Sequence, residues 1–520
     1  MLRSLKELFV VLVIALVIFR LARPLVLLFV KEADFVRRRN VWCALTAVAF
    51  LSPNFWIYAL IAMPMLLWAG RKDSSPAALY LLLLHVIPPY AIRVPMVGIS
   101  FLFDADNYLL LSFFLMLPAA LRLVRRKDSD RIHGLQAMDL FLFAYGILTA
   151  FLFLHPETAA GVIMSATFTD CLRRLFLFFI GTVVPYFVIS RSISDRRAML
   201  DLMATYCLMC GGLAAVALFE TAKHWLLYGE MGDLFASANN DSVVSSFSVY
   251  LLRGSSLRAM VSTGHPLVLG YLLAIGLGFW LYLQKHVPSR VSRFAVTGLY
   301  WAGLLAAYSR GPWIGAVCIY CVFTVLKPGA FSRFFKAVAV AGVLAILVSL
   351  TPLREKVVNV LPFLGGTVDN ENILYRHRLF DRAWQIILEN PFFGDQNALL
   401  RMQDLRQGQG IIDLVNSYLE ILLDNGFVGL FLVLSFIVIA ILKAWSLSRE
   451  SRHVDPDLSM LGASLVSCIV ATLLMMLNGG FGGGNGKMFY VLAALAAAYA
   501  YLGRTRPVNA QSVERKMSTA

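Results

Sequence analysis

Long apolar runs recur along this chain of 520 residues, and they constrain its fold more than any other feature. A helix needs about 20 apolar residues to cross a bilayer. The first three runs are ambiguous, because charged residues or Ser52-Pro53 interrupt them, so the sequence predicts about 12–15 transmembrane helices. The candidate spans are about 8–30, 41–52, 54–69, 76–94, 108–122, 138–154, 172–190, 200–227, 265–283, 294–308, 312–327, 337–351, 427–443, 458–477 and 488–503.

The composition agrees with a chain dissolved largely in lipid. Hydrophobic residues make up 59% of it and charged residues 15%, whereas a soluble domain carries roughly 25% charged residues. The apolar runs are continuous and do not alternate, which excludes a β-barrel. The fold class expected is therefore an all-α polytopic membrane protein. Its net charge of +15 is attributed to basic connections on the cytoplasmic side of the membrane, and no nucleic-acid partner is expected.

Lysine and arginine residues are concentrated in alternate connections, which predicts the orientation of the chain in the membrane. Cytoplasmic connections are richer in basic residues than external ones, so these connections and the C-terminus are expected in the cytoplasm. Two long polar loops, 228–264 and 352–412, then lie on the other side. The predicted division is 1–200 (N-terminal helices), 201–445 (a core with both loops), 446–503 (C-terminal helices) and 504–520 (a cytoplasmic tail). The basic connections are 122–131, 191–197, 285–293, 327–336, 443–452 and the tail from Arg504.

One arginine lies between two short apolar runs, in the segment Ser309–Trp313, which reads Ser-Arg-Gly-Pro-Trp. Arg310 is thus expected near the external membrane face. It either extends from a helix end into the interface or faces a polar cavity and binds an anion. Pro312 favours a helix N-terminus beside Arg310, a setting that suits phosphate.

A second arginine, Arg258, ends the first long loop, shortly before a Gly-His-Pro sequence that enters a span. It is expected on the same side as Arg310. Arg258 could be an interfacial arginine at a helix start, or it could belong to an anion site. His265 is predicted to be a hydrogen-bonded helix-start residue.

The second long loop contains Arg376, His377 and Arg378, followed by an amphipathic helix around residues 379–387. Residues two apart do not share a helix face, so at most one of these arginines points at a site. A solvated charge cluster is the alternative.

The end of that loop carries a polar stripe. Asp413, Asn416, Glu420 and Asp424 are spaced at i, i+3, i+7 and i+11, which places them on one face of a single helix. Gly426 and Gly429 then weaken this helix before the next span. A carboxylate here could act as a base, or the stripe could simply be solvated.

Four motifs in this order resemble the superfamily of bacterial O-antigen ligases and Wzy-type polysaccharide polymerases. They are the segment from Ser309 to Trp313, Arg258 with the Gly-His-Pro at 264–266, the Glu-Asn-Pro-Phe-Phe-Gly at 389–394, and the stretch from Asn416 to Leu430. The resemblance covers about residues 200–445. It implies a bundle of the GT-C-like type with a large, partly helical periplasmic loop, in the bacterial inner membrane.

The resemblance also implies a reaction. Such enzymes take a glycan from an undecaprenyl-pyrophosphate carrier and transfer it to a hydroxyl group of lipid A core, another repeat unit or a protein. Arg258 and Arg310 match the family's arginines and are assigned to the pyrophosphate, with Arg376 as a weaker candidate. Asn416, Tyr418 and His265 are assigned to the substrate loops. No cofactor or metal is expected, and partners are membrane lipid and, by family, a chain-length regulator and a flippase.

One position departs from the family pattern. Ligases carry a histidine before the asparagine of the closing motif, where this chain has Val415. Asp413, Glu420 or His377 could replace it as the base. The departure favours a polymerase of exopolysaccharide, capsule or O-antigen over a ligase. A lipid-linked glycan flippase or transporter is the competing class.

Overall fold

Helices dominate the computed structural model of the chain. The structure describes residues 2–96, 101–125, 136–154, 157–159, 162–164, 168–229, 231, 235, 251–253, 256–327, 370–406, 412, 414, 416–480 and 483–504. Within these residues the only strands form three short antiparallel pairs. The protein is thus an all-α polytopic membrane protein, as the sequence predicts.

Eight helices are described in the N-terminal part. The fifth and seventh each contain a π-helical turn, at Ser112–Met116 and Phe179–Val183. The helices are α1 (Leu2–Val26), α2 (Glu32–Leu51), α3 (Phe55–Lys72), α4 (Pro76–Leu83), α5 (Asn107–Arg125), α6 (Ala137–Leu152), α7 (Phe168–Ser192) and α8 (Arg196–Lys223).

The C-terminal part contributes seven further described helices. The strand pairs β1 (Ile92–Arg93) with β2 (Asp104–Ala105), β3 (Glu157–Ala159) with β4 (Val162–Met164), and β5 (Leu252–Arg253) with β6 (Ser256–Leu257) lie in connections. The helices are α9 (Pro266–Leu283), α10 (Arg290–Ala306), α11 (Arg310–Leu326), α12 (Asn370–Glu389), α13 (Ser417–Val454), α14 (Pro456–Met475) and α15 (Gly483–Arg504).

Eight of the described helical segments are long and apolar enough to cross a membrane, and α6 and α11 are shorter apolar helices. The prediction of one span over 76–94 is wrong. Its helix ends at Leu83, and the chain continues through Pro88-Pro89, which cannot donate helical hydrogen bonds. The predicted span 337–351 lies outside the described residues.

Helices α8, α9 and α10 approach one another closely through small residues. A Cβ atom on Gly303 would lie 2.7 Å from the Cβ of Ala214, and one on Gly276 would lie 2.8 Å from the Sγ of Cys210. Small side chains let membrane helices bring their backbones together. These contacts fix the framework that carries the site.

At one end of the bundle, which we call the basic end, charged side chains pair with one another in the interior. Arg38 of α2 donates hydrogen bonds to Asp73, to Asp201 and to Thr205 of α8. Arg191 of α7 pairs with Asp139 at the start of α6. Buried charges require such partners, and each of these pairs links helices that are separate in sequence.

A separate apolar cluster joins the second long loop to the bundle. Leu379, Ala383 and Ile386 of α12 are buried against Leu419 and Leu423 at the start of α13. The amphipathic helix predicted around 379–387 is confirmed, and it packs as part of a folded unit on α13.

Candidate functional site

Helix α11 begins at Arg310, which confirms the helix start predicted from Pro312. Ser309 precedes it and is buried. The first backbone N–H groups of a helix lack intrahelical acceptors, and the helix dipole adds partial positive charge there. The guanidinium of Arg310 and this helix N-terminus thus form a cationic surface at the end of the bundle opposite the basic end. We call this the site end.

Arg258 lies beside this surface. Its Nη2 atom donates a hydrogen bond of 2.9 Å to Oγ of Ser309, which itself donates to the carbonyl of Ala307. The two arginines predicted to share a site are therefore joined through the residue that precedes Arg310. Guanidinium groups are suited to phosphate oxygens, which accept hydrogen bonds from their planar donors.

The segment from Arg258 to His265 is anchored to two helices and to the connection that follows α4. The N–H of Ala259 donates to the carbonyl of Ala306 in α10, and Oγ of Ser262 donates to the carbonyl of His85. Glu220 of α8 accepts the N–H groups of Met260 and Val261. The position of Arg258 is thus set by the tertiary structure.

Val261 has a positive φ of 49° within this segment. A β-branched residue in that region is a true outlier and costs about 1–3 kcal/mol. Tyr308, which lies next to Ser309, also has a positive φ, of 44°. Strain of this kind persists only where surrounding contacts enforce it, and it concentrates at functional sites.

His265 is the N-cap of α9, and its Nδ1 accepts the N–H of Leu267 at 3.1 Å. Its prediction as a hydrogen-bonded helix-start residue is confirmed. The residue is partly exposed, but the surrounding protein and then the positive charge of Arg258 lower the pKa of His265 to about 4. The ring is therefore neutral at neutral pH, as its role as a cap acceptor requires.

The start of α13 lies close to the start of α11. Ser417 donates a hydrogen bond to the carbonyl of Gly479. A Cβ atom on Gly480 would lie 3.5 Å from Oε2 of Glu420, and one on Gly311 would lie 3.3 Å from the Cβ of Asn478. The short segment 478–480 thus contacts the first turns of both helices, with Glu420 on one side and Gly311 on the other.

The predicted single helix through Asp413, Asn416, Glu420 and Asp424 is wrong in its first part. The helix begins at Ser417, because Asn416 is its N-cap and accepts the N–H groups of Tyr418 and Leu419 through Oδ1. Asp413 and Val415 lie outside the described residues. Glu420 and Asp424 do share a helix face, being four residues apart.

Tyr418 points into the bundle, where its hydroxyl group donates to the carbonyl of Leu473 at 2.8 Å. This contact ties α13 to α14. The assignment of Tyr418 to a substrate loop stays a prediction. Asn416 likewise uses its side-chain oxygen within its own helix start. Both residues orient the turn that carries Glu420.

Asp424 is accompanied by groups that sequence reasoning missed. Arg174 of α7 lies close enough to interact electrostatically with Asp424, and its Nη1 donates to Oε1 of Gln396 at 3.0 Å. Gln396 in turn donates to the carbonyl of Asp424 at 2.7 Å. Arg174 lies in an apolar run 250 residues before Asp424, so only the folded chain brings the two together.

Helix α13 is interrupted at Gly426, whose φ is 62° and ψ is −166°. The break leaves backbone groups without helical partners, and the turn at 390–395 supplies them. Phe427 and Val428 donate to the carbonyls of Pro391 and Phe392, and Asp395 donates to the carbonyl of Leu423. The motif at 389–394 therefore closes the break in α13.

Arg376, His377 and Arg378 are exposed on α12, on the sides away from the cluster that packs on α13. The described contacts join none of them to Arg258 or Arg310, so their roles remain predictions. Among the residues that the structure describes, no three or more His, Cys, Asp or Glu side chains form a group that could hold a metal ion.

Comparison with known protein families gives one match. Residues 295–434 match the family model described as O-Antigen ligase. The match contains Arg310, α12, the break at Gly426 and Glu420, while Arg258 and His265 precede it. No curated protein matches the chain.

The match, within a multi-pass membrane bundle with a cationic helix start, supports a glycan-processing function of the O-antigen ligase or polymerase type. The resemblance to the O-antigen ligase and Wzy-type polymerase superfamily is confirmed for residues 295–434. The match is common to ligase-type and polymerase-type members and does not separate them.

Proposed function

We propose that this protein polymerises undecaprenyl-pyrophosphate-linked oligosaccharide repeat units into exopolysaccharide, capsule or O-antigen at the periplasmic face of the inner membrane. The observation that carries the proposal is the hydrogen bond between Arg258 and Ser309, which places two arginines at the N-terminus of α11. Arg310 lies within the segment that matches the O-Antigen ligase model, and Arg258 contacts that segment through Ser309. A pyrophosphate is the anion that suits this surface in such a domain.

The two arginines would stabilise the leaving group. As the bond between the anomeric carbon and the pyrophosphate oxygen breaks, its electron pair passes to that oxygen, and negative charge grows there. Fixed donors aimed at developing charge stabilise a transition state without reorganising. Arg258 is fixed by Ser309 and by its anchored segment, and the backbone of Arg310 is fixed by the helix that it begins.

Glu420 is the base that the geometry favours among the described candidates. It would accept the proton of the acceptor hydroxyl group as that oxygen bonds to the anomeric carbon. Glu420 lies against the segment 478–480, which also contacts Gly311 at the start of α11. Asp424, one turn further on, is held in the field of Arg174, and His377 lies on the exposed side of α12.

The proposed orientation in the membrane follows from the distribution of basic residues. The basic connections are proposed to be cytoplasmic, together with the C-terminus, and the site end periplasmic, where lipid-linked repeats are joined. A chain-length regulator and a flippase of the same pathway are proposed partners. The presence of Val415 where ligases have a histidine supports polymerisation over ligation.

A deletion strain separates the candidates. We expect loss of polymer, with single repeats accumulating on the lipid carrier, as read by gel electrophoresis and sugar analysis of extracted lipids. Full-length polymer on the carrier but absent from lipid A would instead identify a ligase. Repeats trapped on the cytoplasmic leaflet would identify a flippase. Complementation with the intact chain must restore the product.

A further inference from the structure

Glu220 is a buried carboxylate with no part in the proposed chemistry. It lies near the end of α8, and its side chain is fully buried. Oε1 accepts the N–H of Leu227 at 3.0 Å, and Oε2 accepts those of Met260 and Val261 at 3.2 and 2.9 Å. Burying a carboxylate is costly unless hydrogen bonds replace its lost hydration. These three donors are backbone groups, so the carboxylate organises a chain segment.

The segment so organised is the one that carries Arg258. Met260 and Val261 follow it by two and three residues, and Val261 is held at a positive φ of 49°. An L-residue leaves this conformation unless contacts enforce it. The bond from the N–H of Val261 to Glu220 is such a contact, so loss of the acceptor would relax the turn and displace Arg258 from Ser309.

We propose that Glu220 is a positioning residue that acts through Arg258, holding its guanidinium at the N-terminus of α11. This inference rests on the proposed anion role of Arg258. Glu220 itself does not touch the lipid-linked pyrophosphate. Its acceptor-only oxygens match three N–H donors, whereas a glutamine would present an NH₂ group to at least one of them.

The test is a double-mutant cycle between Glu220→Gln and Arg258→Ala. The rate measured is the conversion of lipid-linked repeats into polymer, in membrane vesicles from the deletion strain carrying each variant. A misplacement of about 1 Å can cost about a hundredfold in rate, so Glu220→Gln is expected to lower the rate by about ten- to a hundredfold. If it acts through Arg258, the double variant is no slower than Arg258→Ala alone.

Thr205→Val is the matched control. Thr205 is also buried and hydrogen-bonded on α8, but it lies about 22 Å from Glu220 along the helix at about 1.5 Å per residue. Its effect on the rate is expected to multiply with that of Arg258→Ala. If the effects of Glu220→Gln and Arg258→Ala on the rate also multiply, the positioning role of Glu220 is overturned.

Hydrogen exchange gives a readout that does not depend on the reaction. In Glu220→Gln, the amides of Met260 and Val261 are expected to exchange faster, while those of α14 keep their wild-type rates. Unchanged exchange at Met260 and Val261 contradicts the inference. If instead Arg258→Ala retains the full rate, the proposed anion role fails, whatever the exchange at residue 261 shows.

Discussion

Gly394 and Gly426 meet backbone to backbone where the second long loop joins helix α13. A Cβ atom on Gly394 would lie 2.7 Å from the amide nitrogen of Gly426, and one on Gly426 would lie 2.5 Å from the amide nitrogen of Phe393. Both glycines have positive φ. The loop and the helix thus approach at a distance that no side chain at either position would allow.

Gly426→Ala is expected to destabilise this junction. The φ and ψ of Gly426 lie in a region that is essentially restricted to glycine, and occupying it costs about 1–3 kcal/mol before the clash is counted. We expect a lower melting temperature in detergent and faster proteolysis between 370 and 406. The control is Gly298→Ala on α10, where nothing lies within 4 Å of the new Cβ. Equal melting temperatures for the two variants would contradict the proposed junction.

Arg310→Ala is expected to leave the protein inserted while stopping chain elongation. Removing one fixed donor to a developing oxyanion costs about a hundred- to a thousandfold in rate. Polymer length on gels and the lipid-linked repeats measure the loss, with immunoblots to verify the protein level. Arg290→Ala, an exposed arginine at the other end of α10, provides the control and should behave as wild type. Polymer of normal length from Arg310→Ala would disprove the assignment.

Glu420→Gln and Asp424→Asn distinguish the two carboxylates of α13. A general base contributes about a hundred- to ten-thousandfold, so Glu420→Gln should lower the turnover rate by that order with little change in protein level. Asp424→Asn should retain most of the activity. Rates at saturating donor concentration measure this difference. The reverse ranking would move the base to Asp424.

His265 should make stability depend on pH. Its pKa is 6.5 when unperturbed and about 4 in the folded protein. Between these values the unfolded chain binds a proton that the folded chain does not, so this contribution to stability is complete above pH 6.5 and is lost as the pH falls toward 4. An asparagine side chain would still cap the helix but does not titrate, so His265→Asn should flatten the decline. Melting temperatures across this range test it, and parallel curves for both proteins would refute it.

Local patterns predicted much of this structure. The apolar runs indicated the helical bundle, and Pro312 indicated the start of α11. The amphipathic periodicity at 379–387 indicated helix α12. Each of these signals lies within a few residues of the feature it predicts. The Gly-Phe-Val-Gly sequence at 426–429 likewise indicated a weak point in α13.

Helix capping and tertiary contacts decided the rest. Asp413 and Asn416 have helical spacing, but the side chain of Asn416 caps the helix, so the stripe begins only at Glu420. The roles of Glu220 and Arg174 depend on partners that are distant in sequence, such as Val261 and Asp424. An acidic residue near the end of an apolar run was the one available signal for Glu220.

The hydrogen bond between Arg258 and Ser309 joins residues 51 positions apart. During synthesis the ribosome therefore completes Arg258, helix α9 and helix α10 before the serine exists. The cationic surface comes into being only when α11 enters the membrane. A nascent chain that stops before that point has the arginine but lacks the serine that orients it, so the cationic surface cannot form until α11 has been made.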